Sequence, residues 1–145
     1  MVKLDPRFDA ANTVLIGKSL GSMVAVRGLA DNPHVKALVL LTPLCSIKPT
    51  EAAWSAAPYP HFAELTRPVT LLGGDDDPLC ELPALYRMAL APKAPVRVVV
   101  VGGDHGFGSG ADAARGATNL ALAAENAADA AWGYLGAPPN GGEKP

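Results

Sequence analysis

The chain has 145 residues, of which 49% are hydrophobic and 18% charged, and its formal net charge is −2. This balance is typical of a folded globular domain, excludes a disordered chain, and gives no reason to expect nucleic acid or an anionic membrane as a partner. No apolar run approaches membrane-spanning length, and residues 1–6 lack the apolar core of a signal peptide, so we expect a cytoplasmic protein. We predict a single domain over residues 1–137 and a polar tail over residues 138–145.

Four apolar, β-branched runs predict the strands of a parallel sheet. They cover residues 13–17, 37–41, 69–73 and 96–101. Each run is continuous rather than alternating, which is typical of strands that are covered on both faces. Helix-compatible segments lie between and after the runs, at residues 20–30, 52–65, 82–90 and 111–135. The alternation predicts an α/β fold, with a mostly parallel sheet covered by helices on both faces.

The first predicted strand leads into Gly-Lys-Ser-Leu-Gly, residues 17–21. A sharp turn from strand to helix would expose the hydroxyl of the middle residue, Ser19, which is therefore a candidate nucleophile. We expect Gly17 and Gly21 both to be required, because a side chain at either position would collide where strand and helix meet. The N–H of Leu20, at the helix N-terminus, is the candidate oxyanion donor.

Two other interpretations of this pentapeptide remain. Gly-Lys-Ser also ends the phosphate-loop pattern of nucleotide-binding proteins, but the first glycine of that pattern would fall on Asn12, and residues 13–16 are apolar or β-branched. A phosphate loop therefore fits poorly. Alternatively, the glycines serve only close packing and Ser19 is a passive turn residue, which the pentapeptide alone does not decide.

The loops after the third and fourth predicted strands supply an acid and a histidine. Asp75, Asp76 and Asp77 follow the third strand, and His105 follows the fourth within a glycine-rich loop. Ligands of such sheets bind at the carboxyl ends of the strands. A nucleophile, an acid and a histidine thus occur in that chain order, each directly after its own strand.

Residues 17–22 (Gly-Lys-Ser-Leu-Gly-Ser) and 103–107 (Gly-Asp-His-Gly-Phe) resemble the α/β-hydrolase superfamily, especially dienelactone-hydrolase-like and small serine esterases. The resemblance implies a catalytic triad with Ser19 as nucleophile and His105 as general base. The acid of the family usually lies three residues after the glycine that closes its strand, often before a proline. That position is Asp77, with Asp75 as the alternative. The implied function is hydrolysis of small carboxylic esters through an acyl-serine, without metal or cofactor.

Only about a dozen residues precede the predicted nucleophile strand, whereas members of the family carry several strands there. We therefore expect a truncated or minimal hydrolase fold whose first strand lies at a sheet edge, and predict that a second copy covers this edge in a homodimer. A second oxyanion donor would have to come from residues 1–12, Met23 or a partner chain, and without it turnover should be slow. Short-chain esters are expected, because no segment is long enough for a lid. The alternative function is a non-catalytic, hydrolase-derived fragment that acts as an interaction module.

The two cysteines, Cys45 and Cys80, lack metal-ligand spacing. We expect two reduced, half-buried thiols. A disulfide is the alternative, because each cysteine follows a predicted strand on the same rim of the sheet.

The remaining histidines and the aromatic side chains are weaker candidates for a site. We expect His34 and His61, which lie in turns beside prolines, to be solvated. Four aromatic residues are candidates for lining a substrate pocket, although packing in the core is expected for any single one. These are Trp54, Tyr59, Phe62 and Phe107.

Overall fold

A computed structural model describes residue 9, residues 12–45 and residues 58–136. It contains one parallel four-stranded sheet whose strand order follows the chain: β1 (Thr13–Lys18), β2 (Val35–Leu41), β3 (Val69–Gly74) and β4 (Val96–Val101). Three helices accompany it: α1 (Leu20–Asp31), α2 (Leu82–Ala89) and α3 (Ala113–Leu135). The predicted α/β fold is confirmed, and each strand lies within two residues of its predicted bounds.

The helices cover both faces of the sheet. On one face α1 and α2 pack against the strands through residues such as Val26, Leu40 and Leu85. On the other face α3 contacts all four strands, and its Ala127 shares a core with Leu72. The central strands β2 and β3 are almost completely buried, as their continuous apolar runs predict. The outer strands β1 and β4 are partly exposed, because within the described residues each has a strand neighbour on one side only.

The helix predicted over residues 52–65 is wrong where the structure describes it. Residues 52–57 lie outside the described part of the chain, and residues 58–65 contain only one 3-10 turn, Phe62–Glu64. Two prolines and the left-handed backbone of His61 (φ 65°) prevent a longer helix.

The predicted tail, residues 138–145, also lies outside the described residues. Helix α3 begins two residues later than predicted, because the Asp112 carboxylate accepts a hydrogen bond from the Arg115 N–H and caps it.

The expectation of two reduced thiols is wrong. Cys45 and Cys80 form a disulfide, and both are completely buried rather than half-buried. Cys45 lies four residues after the end of β2, and Cys80 lies six residues after the end of β3. Because β2 and β3 are neighbours in a parallel sheet, the two loops leave the same edge and the sulfur atoms meet.

The register of the sheet brings the carboxyl ends of all four strands to one edge. Lys18, the last residue of β1, pairs with Leu41 at the end of β2, and Gly74 of β3 pairs with Val101 of β4. The loops that carry the candidate site residues therefore start from a common edge. Strand β1 forms one margin of the sheet, as expected, and its Ile16 is 55% exposed. Within the described part of the chain, no helix is long and apolar enough to cross a membrane.

Only one of the two glycines of the Gly-Lys-Ser-Leu-Gly turn is sterically required. A Cβ added at Gly17 would lie 2.3 Å from the carbonyl oxygen of Gly21, so the end of β1 passes directly over the first turn of α1. A Cβ added at Gly21 would meet no described atom within 4 Å. The expectation that a side chain at Gly21 would collide is therefore wrong, because at that contact Gly21 presents its backbone oxygen rather than its Cα.

This contrast predicts opposite results for two alanine substitutions. Gly17→Ala should lower the free energy of unfolding by about 3 kcal/mol or more, because backbone atoms cannot move away from the new methyl group cheaply. Gly21→Ala should change it by no more than about 1 kcal/mol and is the matched control, since alanine favours the helix. Urea unfolding of both variants measures the difference, and equal losses would contradict the packing described here.

Candidate active site

The backbone of Ser19 has a conformation that is rare for a residue with a side chain. Ser19 lies between β1 and α1 with φ 52° and ψ −122°. Its N–H donates to the carbonyl of Leu41 on β2 (3.0 Å), and its own carbonyl accepts from the N–H of Ser22 (2.9 Å). These bonds hold the turn against its conformational cost and leave the Ser19 hydroxyl at the carboxyl edge of the sheet.

His105 is held in place by the loop that follows β4. The carboxylate of Asp104 accepts hydrogen bonds from the N–H groups of Gly106 (2.7 Å) and Gly108 (2.8 Å), and these bonds lower the pKa of Asp104 below its ordinary value. Phe107 is completely buried in the core that α3 covers and anchors the loop from below. Lys18 Nζ donates to the carbonyl of His105 (3.0 Å), which ties this loop to the end of β1.

The two candidate acids differ in their contacts. Asp75 accepts a hydrogen bond from the N–H of Gly103 (2.7 Å), so its carboxylate joins the loop after β3 to the loop after β4. These loops can approach this closely only because residue 74 is a glycine, since a Cβ there would lie 2.2 Å from the Gly103 oxygen. The side chain of Asp77 is completely buried and accepts from the Leu79 N–H (2.8 Å). Of the two, Asp77 is the one that contacts His105.

Asp77, His105 and Ser19 form a continuous hydrogen-bonded line. Asp77 Oδ2 lies 2.9 Å from His105 Nδ1, and His105 Nε2 lies 2.8 Å from Ser19 Oγ. A carboxylate only accepts hydrogen bonds, so in the histidine tautomer that satisfies both contacts Nδ1–H donates to Asp77 and Nε2 accepts from the Ser19 hydroxyl. The arrangement can accept a proton from Ser19 and stabilise the imidazolium that results.

The candidate oxyanion donor lies beside the serine. Leu20 is the first residue of α1, and its N–H has no acceptor among the described residues, as is usual at a helix N-terminus. Its side chain is 67% exposed. A second donor stays a prediction, and residues 1–8, 10 and 11, one of its expected sources, lie outside the described part of the chain.

Sequence reasoning missed two residues that organise this site. Asp104 has a recognisable signal, because aspartate before glycines commonly accepts hydrogen bonds from the backbone two residues on. Lys18 has none, since it contacts a residue 87 positions away in the chain.

The weaker sequence candidates within the described residues do not contribute side chains to the site. Tyr59, Phe62 and Phe107 are buried in the two cores, and Trp54 lies outside the described residues. His34 and His61 are exposed, and His61 contacts Glu64 (3.2 Å).

Comparison with solved structures shows the same fold in serine hydrolases, esterases and peptidases. An α/β serine hydrolase homologue from Coxiella burnetii superposes with a TM-score of 0.57 at 19% identity, over 78% of this chain and 48% of that one. A puromycin-hydrolysing peptidase from Mycobacterium tuberculosis gives 0.64 at 21% identity, over 92% and 24%. An esterase from Pyrococcus furiosus gives 0.62 at 16% identity, over 85% and 54%. The chain thus spans about half or less of the length of each of these proteins.

The family of the chain follows from its sequence. No curated protein matches it. Residues 3–132 match the family described as "Alpha/beta hydrolase domain". The strand order, the turn at Ser19 and this match agree, and the chain belongs to the α/β-hydrolase family.

Proposed function

We propose that the protein is a serine hydrolase that cleaves small carboxylic esters. The observation that carries this proposal is the line of hydrogen bonds from Asp77 through His105 to Ser19 Oγ, with the last contact at 2.8 Å. Nucleophile and base lie within the distance at which a proton is transferred directly. The hydrolases and esterases among the structural relatives support hydrolysis as the reaction class. That the substrate is a small ester is a further part of the proposal.

The proposed reaction has two halves. Ser19 Oγ attacks the ester carbonyl carbon while its proton passes to His105 Nε2, and the tetrahedral oxyanion accepts a hydrogen bond from the Leu20 N–H. Collapse of this intermediate breaks the ester C–O bond, and the imidazolium returns the proton to the departing alcohol. Water then attacks acyl-Ser19 with His105 again as base, which releases the carboxylic acid and restores the serine hydroxyl.

The surface next to Leu20 supports a small substrate. A cavity of about 230 Å³ opens beside the first two turns of α1, and its walls are mainly apolar. Its lining residues are Leu20, Met23, Val24, Arg27, Pro58 and Pro60. Ser19, Asp77 and His105 do not line this cavity, and its link to the candidate site is Leu20, the residue after Ser19. Its volume is below the usual range for drug-sized ligands, roughly 300–1,000 Å³, and we propose that it holds a short acyl or alcohol group.

Replacing the nucleophile tests the proposal directly. The parent protein should hydrolyse p-nitrophenyl acetate and be labelled covalently by a fluorophosphonate, and Ser19→Ala should lose both reactions. The expected fall in turnover is about a thousandfold or more, because the acyl-serine can no longer form. Mass spectrometry of the labelled peptide locates the adduct. If Ser19→Ala hydrolyses the ester as fast as the parent, the assignment is wrong.

Two neighbouring aspartates provide a matched pair for the acid. Asp77→Asn should reduce turnover by about a thousandfold or more, because an amide favours the wrong ring tautomer of His105. Asp75→Asn removes the same charge but keeps an oxygen that accepts the Gly103 N–H, so it should retain most of the activity. Steady-state kinetics of both variants on p-nitrophenyl acetate decides between them. Equal losses of turnover would mean that activity depends on the negative charge of this loop and not on the contact between Asp77 and His105.

One observation favours the second candidate function, an interaction module without catalysis. Ile16 on the outer strand β1 and Trp132 on α3 are each more than half exposed, and both line a cavity of about 550 Å³ at that margin of the sheet. An exposed strand edge beside apolar side chains is a typical association surface. A well-folded protein that neither hydrolyses esters nor reacts with the fluorophosphonate would favour this alternative.

We still expect a second copy of the chain to cover the edge at β1 in a homodimer. Sedimentation at micromolar concentration should show a dimer of the parent chain, and Ile16→Lys should shift it to a monomer, because a charge would be buried against the partner. Val100→Lys is the control, since Val100 is a partly exposed residue of the outer strand at the opposite margin. A monodisperse monomer of the parent would contradict the expectation.

The cytoplasmic location stays a prediction. The disulfide between Cys45 and Cys80 weighs against it, because such bonds persist mainly in oxidising compartments.

A further inference from the structure

A buried chain of hydrogen bonds runs from the loop after β2 to the carbonyl of Ser19. The Leu44 N–H donates to Tyr59 Oη (2.7 Å), Tyr59 Oη lies 2.7 Å from Ser22 Oγ, and Ser22 Oγ donates to the Ser19 carbonyl (2.5 Å). The side chains of Tyr59 and Ser22 are 1% and 0% exposed, so water does not replace these contacts. None of these groups takes part in the proposed reaction.

The number of available hydrogens fixes which group donates in each bond of this hydrogen-bond chain. The Leu44 amide can only donate, and the Ser19 carbonyl can only accept. Ser22 has a single hydroxyl hydrogen, which the bond to the Ser19 carbonyl uses, so the hydrogen between Tyr59 and Ser22 must come from Tyr59. One assignment therefore satisfies all three contacts, with every donor pointing toward Ser19. Burial raises the pKa of Tyr59 above its ordinary value, so the hydroxyl keeps the proton that it donates.

The hydrogen-bond chain ends at Ser19, whose unusual backbone conformation needs support from its surroundings. A residue with a side chain at φ 52° and ψ −122° costs on the order of 1–3 kcal/mol and persists only where its surroundings hold it. The Ser19 carbonyl belongs to the peptide unit that also carries the Leu20 N–H. Fixing this carbonyl therefore fixes the orientation of both the serine and its neighbouring oxyanion donor.

We propose that Tyr59 is a positioning residue for Ser19: its hydroxyl holds Ser22, and through Ser22 the peptide unit between nucleophile and oxyanion donor. The catalytic part of this inference rests on the proposed serine hydrolase function, whereas the hydrogen-bond chain does not. Tyr59 acts from the core, without contact to the substrate. Its loss should therefore lower kcat and leave KM unchanged.

Tyr59→Phe removes the hydroxyl and keeps the packed ring. We expect the rate constant for fluorophosphonate labelling of Ser19, and kcat on p-nitrophenyl acetate, to fall by about tenfold. Tyr134→Phe is the matched control: it removes a hydroxyl bonded to Thr70 (2.9 Å) on the face covered by α3, near the other end of β3. Both variants should lower Tm by about 2–6 °C, and only Tyr59→Phe should slow labelling. Labelling of Tyr59→Phe at the parent rate would overturn the proposal.

A double-mutant cycle separates this inference from the proposed function. Ser22→Ala breaks the same hydrogen-bond chain, so Tyr59→Phe should cost less than twofold in labelling rate when Ser22 is already alanine. Its cost in Tm should then be smaller than in the parent, because only the Leu44 N–H still loses its partner. If the parent protein is not labelled, the proposed function fails. The Tm values of the parent, the two single variants and the double variant still test the hydrogen-bond chain. Losses in Tm that add for the two substitutions would then overturn the inference, and non-additive losses support it.

Discussion

The conformation of Ser19 is the constraint on which the rest of the site depends. A positive φ at a non-glycine residue turns the chain from β1 into α1 within one residue and directs the hydroxyl away from the sheet. Neighbouring groups compensate the cost of this conformation: Gly17 lets the strand pass over the carbonyl of Gly21, and β2 accepts the Ser19 N–H. The turn is therefore a product of packing as much as of its own sequence.

The second requirement is the register of the parallel sheet. Lys18 pairs with Leu41 and Gly74 pairs with Val101, so β1 ends level with β2 and β3 ends level with β4. Because all four strands are parallel, the segments that carry residues 19, 77 and 105 leave one edge of the sheet although they are far apart in sequence. Each loop then needs its own internal support. Asp104 holds the histidine loop, Asp75 joins that loop to the one carrying Asp77, and the bond from Lys18 to the His105 carbonyl connects it to β1.

The strands and the chain order of the site residues were readable from the sequence because both depend on local patterns. Continuous apolar runs predicted the four strands, and the residues that follow β1, β3 and β4 supplied Ser19, three consecutive aspartates and His105 in that order. Contacts between distant segments were not readable. The disulfide required knowing that two loops leave adjacent strands at the same edge, and the open space at Gly21 depends on the orientation of its Cα relative to β1. Whether Asp75 or Asp77 contacts the histidine depended on the fold of the loop, which three consecutive aspartates do not reveal.

The loop after β2 carries none of the three hydrogen-bonded side chains, those of Ser19, Asp77 and His105. It nevertheless connects the segments that carry Ser19 and Asp77. Leu44 begins the hydrogen-bond chain that ends at the Ser19 carbonyl, and the adjacent Cys45 is bonded to Cys80. The Cys80 N–H in turn donates to the carbonyl of Asp77 (3.3 Å). Leu44 and Cys45 therefore link the turn at Ser19 to the turn at Asp77 through the core, in addition to the link through the side chain of His105. The packing of Leu44 and Cys45 thus supports both ends of the hydrogen-bonded line, at Ser19 and at Asp77.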